Sequence, residues 1–306
     1  MNKMNKTIYI EEYAHNIPLL LSNNDTGFIH SVFNNGLNIK MGNRLLFIGT
    51  TKNGKLPFGA HLAKDKYYDL LVEKNSQFPV KWINEQQTLI FNDGELIVSF
   101  EKANVYDCTM HERGRISEMC TRLETVLATL LNDDDTKTGL DLSIESFVLN
   151  YLQANRLEMN ETANQLEKLA ETLFAKDKMK SEAALRYVLG RGKGLTPSGD
   201  DHVVGLLAVH AASHAFTSTF PKTVLSLVEN ESITTDVAKE YLYYAVHGQF
   251  SRTVTQVMHD LIHDEAQLET SLERLLEVGH SSGVDTIFGI LLGLLAWRRK
   301  QVCQKK

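Results

Sequence analysis

"RGKGLTPSGDDHVVGLLAVHAA", Arg191–Ala212, sets a glycine- and proline-rich approach directly against a largely apolar run. The second half has helical texture, with Asp201 at its mouth and Ala215 near its end. Pro197 fixes the angle of entry, and Ser198 and Asp201 stand where a capping box would place its two partners. A helix buried among other helices follows, so this part of the chain reads as all-helical.

The same grammar returns in "GHSSGVDTIFGILLGLLAW", Gly279–Trp297. Ser198-Gly199-Asp200-Asp201 aligns with Ser282-Gly283-Val284-Asp285, and Gly205 and Gly289 each follow four residues after the last acid. Two helices crossing near Gly205 and Gly289 would bring both starts to one pocket. Capping and close helix packing explain the serines, one acid of each copy and the later glycines. They leave Gly199 and Gly283 unexplained, because glycine in a first helical turn costs roughly 0.5–1 kcal/mol relative to alanine. Bare backbone amides at a positive helix end suit an anion. The candidate anion- and substrate-binding set is therefore Gly192, Lys193, Gly194, Thr196, Ser198, Gly199, Ser282, Gly283 and Asp285. Asp200 is a surplus acid, and beside an anion it calls for Mg²⁺ or a substrate amino group. Asp200 is thus the candidate metal ligand, and Asp200, Asp201 and Arg252 are the candidate catalytic residues.

Outward from these motifs, helical periods cover Ile116–Leu131, Ile144–Leu152, Ala163–Phe174 and Ser181–Leu189. They continue through Thr223–Val228, Thr235–Tyr244, Thr253–His263, Leu268–Val278 and Gly283–Lys300. The first third reads differently. "GFIHSVFNNGLNIKMGNRLLFIGTT", Gly27–Thr51, and "QTLIFNDGELIVSFEKANVYD", Gln87–Asp107, carry short β-branched runs broken by Asn-Gly, Gly-Asn and Asp-Gly turns. Val80–Ile83 reads as a further strand and Asp65–Lys74 as a short helix. The expected fold class is α+β: a β-rich domain over residues 1–109 with one or two short helices, then a helical domain over 110–306.

Composition narrows the function. The net charge of -6 and the lack of a Lys/Arg stripe argue against a nucleic-acid partner. The longest apolar stretch, Ile287–Trp297, is too short for a bilayer span of about 20 residues. Three cysteines without a Cys-x-x-Cys spacing argue against a disulfide framework or structural zinc, and no secretory leader is visible. A cytoplasmic protein is expected. Asp133-Asp134-Asp135 lacks the spacing of a calcium loop and reads as part of a solvated loop. His259 and His263 share a helix face, either as a solvated pair or as a zinc pair whose third ligand cannot be named. His202, His247 and His280 lie near the motifs and read as supporting groups. Ser251-Arg252-Thr253 is either an ordinary helix start or a second anion contact, Arg252 gripping by its fork.

"GKGLTPSGDDHVVGLLA" together with "GHSSGVDTIFGILLGL" resembles the AllH-type family, as do "HSVFNNGLNI" and "HGQFSRTV". The resemblance spans nearly the whole chain; Lys193 departs from it, standing where proline is expected. It implies one of three different subunits of an oxamate carbamoyltransferase of anaerobic allantoin breakdown. That enzyme exchanges oxalurate and phosphate with oxamate and carbamoyl phosphate. The expected partners are a small anionic substrate and the other carbamoyltransferase subunits, with no nucleic acid and no membrane. The alternative is a non-catalytic assembly or ligand-binding subunit in which the paired motifs only cap and pack.

Overall fold

A computed structural model describes residues 6–52, 54–71, 78–132, 136–153, 160–263 and 265–304. Asp133–Asp135, the last three residues expected of the Asp65–Lys74 helix and the terminal lysines lie outside them. The chain forms two compact units, Met1–Cys108 and Thr109–Lys306.

In the first unit, strands β1 (Lys6–Tyr9) and β2 (Glu12–Ala14) precede helix α1 (Ile17–Asn23). Then come β3 (Thr26–Val32), β4 (Gly36–Met41), β5 (Arg44–Gly49) and β6 (Gly59–His61), followed by helix α2 (Lys64–Leu71). The unit closes with β7 (Pro79–Ile83), β8 (Thr88–Phe91), β9 (Leu96–Ser99) and β10 (Asn104–Tyr106). All ten strands join one sheet in the order β1-β9-β8-β7-β3-β4-β5-β6-β2-β10. The expected hairpins are there: β3 with β4, β4 with β5 and β8 with β9 are antiparallel. Met41 pairs with Arg44 across Gly42-Asn43, and Gly42 supplies the positive φ of 61° that such a tight turn needs. The parallel pairs β1/β9 and β2/β10 join segments distant in sequence and were not foreseen; nor was the parallel pair β5/β6. Ile29, Ile39, Leu46, Leu89, Phe91 and Val98 are buried in this unit's core.

The second unit is helical: α3 (Ile116–Met119), α4 (Leu123–Leu130), α5 (Ile144–Gln153), α6 (Glu161–Thr172) and α7 (Lys178–Val188). After these come α8 (Ser198–Ser213), α9 (Thr219–Asn230), α10 (Asp236–Val246), α11 (Arg252–His263), α12 (Glu265–Leu276) and α13 (Ser282–Gln304). The continuous helix expected over Ile116–Leu131 is broken by a 3₁₀ turn at Cys120–Arg122. The Thr121 hydroxyl donates to Glu118 O at 2.7 Å, competing locally with helix geometry. Arg122 Nη1 reaches across to Leu261 O at 2.9 Å and Ile262 O at 3.3 Å, satisfying carbonyls at the end of α11.

Helices α8 and α13 form the centre of this unit. Ser198–Val209 of α8 is buried all round, as is Asp285–Ala296 of α13. A helix apolar on every side belongs in the interior. The two cross at the later glycines of the repeated motif. A Cβ on Gly205 would stand 2.2 Å from Thr286 O, and one on Gly289 2.2 Å from His202 O. Only bare α-carbons admit this approach. Among the described residues no helix is long and apolar enough to cross a membrane.

Candidate functional site

The crossing brings the two Ser-Gly-x-Asp segments together. Thr196 Oγ1 and Ser282 Oγ are 3.1 Å apart, which joins the approach loop of α8 to the first residue of α13. The Asp201 carboxyl accepts from the Ser282 and Thr196 hydroxyls, bonding across to the other motif. Asp285 Oδ1 accepts from Gly139 N at 2.8 Å and lies 3.7 Å from His202 Nδ1.

The expected capping box is replaced. Ser198 opens α8 instead of preceding it; Pro197 is the N-cap and has no side-chain bond to offer. Gly199 and Gly283 also do a different job from baring amides. A Cβ on Gly199 would stand 2.0 Å from Val188 O, and one on Gly283 2.0 Å from Leu275 O. Each glycine lets its helix start press against the end of the preceding helix. Their amides are already used, Gly199 N donating to Arg191 O at 2.9 Å and Gly283 N to Val278 O at 3.0 Å.

The exposed backbone lies one step earlier. Gly192, Lys193 and Gly194 are exposed, and Gly192 and Gly194 hold φ of 119° and 91°. Thr196 is half-buried beneath them, and Ser198 is 2% exposed. On the far side, the Thr235 hydroxyl donates to Leu195 O and accepts from Ala238 N at 3.0 Å. One side chain therefore caps α10 and ties down the loop. Thr235→Ala is expected to cost about 1 kcal/mol in urea unfolding. Thr235→Ser should recover most of it, whereas equal losses in both variants would deny the cap.

Asp200 is 1% exposed and turned inward. Its oxygens accept from Gly190 N at 3.1 and 3.2 Å and from the Thr234 hydroxyl at 2.7 Å. It anchors the loop's first residue and does not present itself as the metal ligand expected of it. Burial pushes its carboxyl up to about 7, against the pull of Thr234 and Gly190. Asp201 is raised well above the ordinary carboxylate range, first by burial and then by Asp285 and Asp200 nearby. His202, fully buried against the Phe288 ring, is pushed below its usual range by desolvation, with Asp285 opposing. Among the described residues, Asp201 Oδ2 and Asp285 Oδ2 have no hydrogen-bond partner. Such buried polar atoms call for an explanation.

Arg252 stays outside this cluster. It is exposed at the first position of α11, and no hydrogen bond or ion pair joins its side chain to the two motifs among the described residues. Ser251 Oγ bonds Thr253 Oγ1 at 2.9 Å, which is the ordinary helix-start reading. His247 is exposed and bonds Tyr243 O at 2.7 Å; His280 is exposed too. His259 and His263 do find a common partner, Glu112 Oε2, at 3.6 and 2.9 Å. Among the described residues, however, no group of three His, Cys, Asp or Glu side chains is disposed to hold a metal.

Two participants escaped the sequence. Gly139 sat in a segment read as a solvated loop, and Thr234 stands just before the helix expected over Thr235–Tyr244.

Comparison with known families places both units. Residues 188–294, which hold both motifs, match a family model described as "Oxamate carbamoyltransferase subunit AllH". Residues 6–105 match the "AllH family N-terminal domain". No solved structure matches the chain.

Proposed function

The chain belongs to the AllH family, whose description is a subunit of oxamate carbamoyltransferase, and from that premise we propose that it binds the enzyme's small anionic substrate where α8 and α13 begin. The observation that carries this reading is the Thr196–Ser282 contact, which makes one cluster of two helix starts beneath an exposed glycine loop. The anion, a carbamoyl or phosphate compound, meets the backbone of Gly192–Gly194, with Lys193 and Arg191 supplying positive charge. The Thr196 and Ser282 hydroxyls border the cradle, and would turn from Asp201 to donate to the anion. Carbamoyl transfer requires a held phosphate and a positioned carbonyl, which such a cradle serves by orientation and preorganised donors. The working enzyme is a hetero-oligomer with the other carbamoyltransferase subunits, in the cytoplasm, on the allantoin route.

A second reading, a non-catalytic assembly subunit, has one observation on its side. Gly199 and Gly283 serve helix packing, with their amides engaged. Thermal unfolding of the full chain separates the two. At about 100 times its dissociation constant, carbamoyl phosphate or phosphate should stabilise the fold by about 2.7 kcal/mol. That corresponds to a rise in Tm of roughly 5–10 °C for a unit of this size. Lys193→Ala should weaken binding several-fold without changing the ligand-free Tm. A Tm indifferent to both ligands at millimolar concentration would favour the assembly reading.

A further inference from the structure

Three carboxyl groups are buried where α8 and α13 begin, and among the described residues no lysine or arginine pairs with any of them. The His202 ring, itself fully buried, lies 3.7 Å from Asp285 Oδ1. Asp200 is satisfied by Gly190 and Thr234, but Asp201 Oδ2 and Asp285 Oδ2 are orphaned, on residues 8% and 0% exposed. Once ionised, these carboxyls would repel an anion delivered beside them.

The side-chain groups around Gly139 are oxygens. A Cβ on Gly139 would stand 2.1 Å from Ser198 Oγ, 2.7 Å from Ser281 Oγ and 2.9 Å from Asp285 Oδ2, so these three converge on the bare α-carbon. Gly139 is exposed, and its bare α-carbon is what lets these oxygens come so close. Carboxylate and hydroxyl oxygens suit hard cations rather than zinc or copper. Magnesium in particular uses only one or two carboxylates and completes its shell with water and substrate oxygens. The lack of a three-carboxylate or histidine set is therefore no obstacle.

We propose that Asp201 and Asp285 hold one divalent, oxygen-seeking cation between the starts of α8 and α13, with the Ser198 and Ser281 hydroxyls facing it. The inference deepens the substrate reading above and rests on the same cluster: the cation bridges the buried carboxylates to the anion. It moves the metal from Asp200, where the sequence put it, to the two motif acids that the crossing brings together.

The test uses the full chain without any anion. Mn²⁺ is added as a spectroscopic stand-in for Mg²⁺, and bound metal is counted by electron paramagnetic resonance. About one Mn²⁺ per chain is expected, displaced by excess Mg²⁺. Asp201→Asn and Asp285→Asn should each weaken it at least tenfold, and Gly139→Ala, whose methyl would push against Ser198 Oγ and Asp285 Oδ2, should weaken it too. Asp200→Asn should change it by less than about threefold. Circular dichroism establishes that each variant is folded, and the wild-type stoichiometry decides the matter even where one is not. No stoichiometric Mn²⁺ below millimolar concentration overturns the proposal, as does loss through Asp200→Asn with Asp201→Asn and Asp285→Asn unaffected. Phosphate binding that persists unchanged in EDTA would uphold the substrate site while overturning the cation.

Discussion

Gly289→Val is expected to destabilise the helical unit by about 3 kcal/mol, lowering its Tm by roughly 6–12 °C. The first atom of any side chain at this position would stand 2.2 Å from His202 O, and that oxygen belongs to a helix backbone with no room to retreat. The strain must be relieved by separating α8 from α13, which exposes residues such as Leu206 and Ile290 that are fully buried. Gly293→Ala, one turn further on, is the control. Its Cβ would meet Phe216 Cζ at 3.2 Å and Leu206 Cδ2 at 3.4 Å, both side-chain atoms. The gain in helix propensity, about 1 kcal/mol, offsets that crowding, so the net change should stay within about 1 kcal/mol. Thermal melts giving the two variants the same Tm would show that the helices do not cross at Gly289.

Asp200→Asn should change how stability depends on pH. The carboxyl rises from 3.8 to about 7 because burial disfavours its charge. Below about pH 4 folded and unfolded chains are both protonated at this group, and it exerts no pH effect. Between about pH 4 and 7 the folded chain keeps a proton that the unfolded chain has released, so stability falls as pH rises. Above about 7 the loss is complete, at roughly 4 kcal/mol from the size of the displacement. Asparagine cannot ionise, yet it can still accept from Gly190 N. Urea unfolding should therefore show the variant gaining on the wild type by roughly 4 kcal/mol between pH 4 and pH 8. A difference that stays constant with pH would mean that Asp200 ionises freely and is not turned inward. Asp201 shifts in the same direction, and losing the Asp200 charge eases that shift, which adds to the variant's gain.

Where local pattern dictated structure, the sequence was readable. The β3–β4–β5 meander follows from β-branched runs and the Gly42 turn, and α8 and α13 follow from apolar runs behind paired helix-start signals. The Gly205–Gly289 crossing was legible because two small residues at the same offset in two apolar helices have few other uses. What escaped was non-local. The pairing of β1 with β9 joins segments about ninety residues apart, and nothing in "KTIY" names its partner. The break at Cys120–Arg122 depends on Arg122 reaching the end of α11. In the site, several residues take packing or anchoring roles that differ from those expected of them. Gly199 and Gly283 admit a helix-end carbonyl where an anion had been expected, because steric room for either leaves the same glycine in the sequence. Asp200 and Asp201 are adjacent and identical as letters. The helix turns one toward Gly190 and Thr234 and the other toward Ser282.

The claim beneath all of this is that the two helix starts act as a single ligand site. Its most direct measurement is a double-mutant cycle on carbamoyl phosphate affinity, by titration calorimetry with Thr196→Val, Ser282→Ala and the pair. Because the two hydroxyls share one contact, the double variant should bind hardly worse than the weaker single, a coupling of about 1 kcal/mol or more. Losses that simply add, or an affinity unmoved by Ser282→Ala, would contradict it.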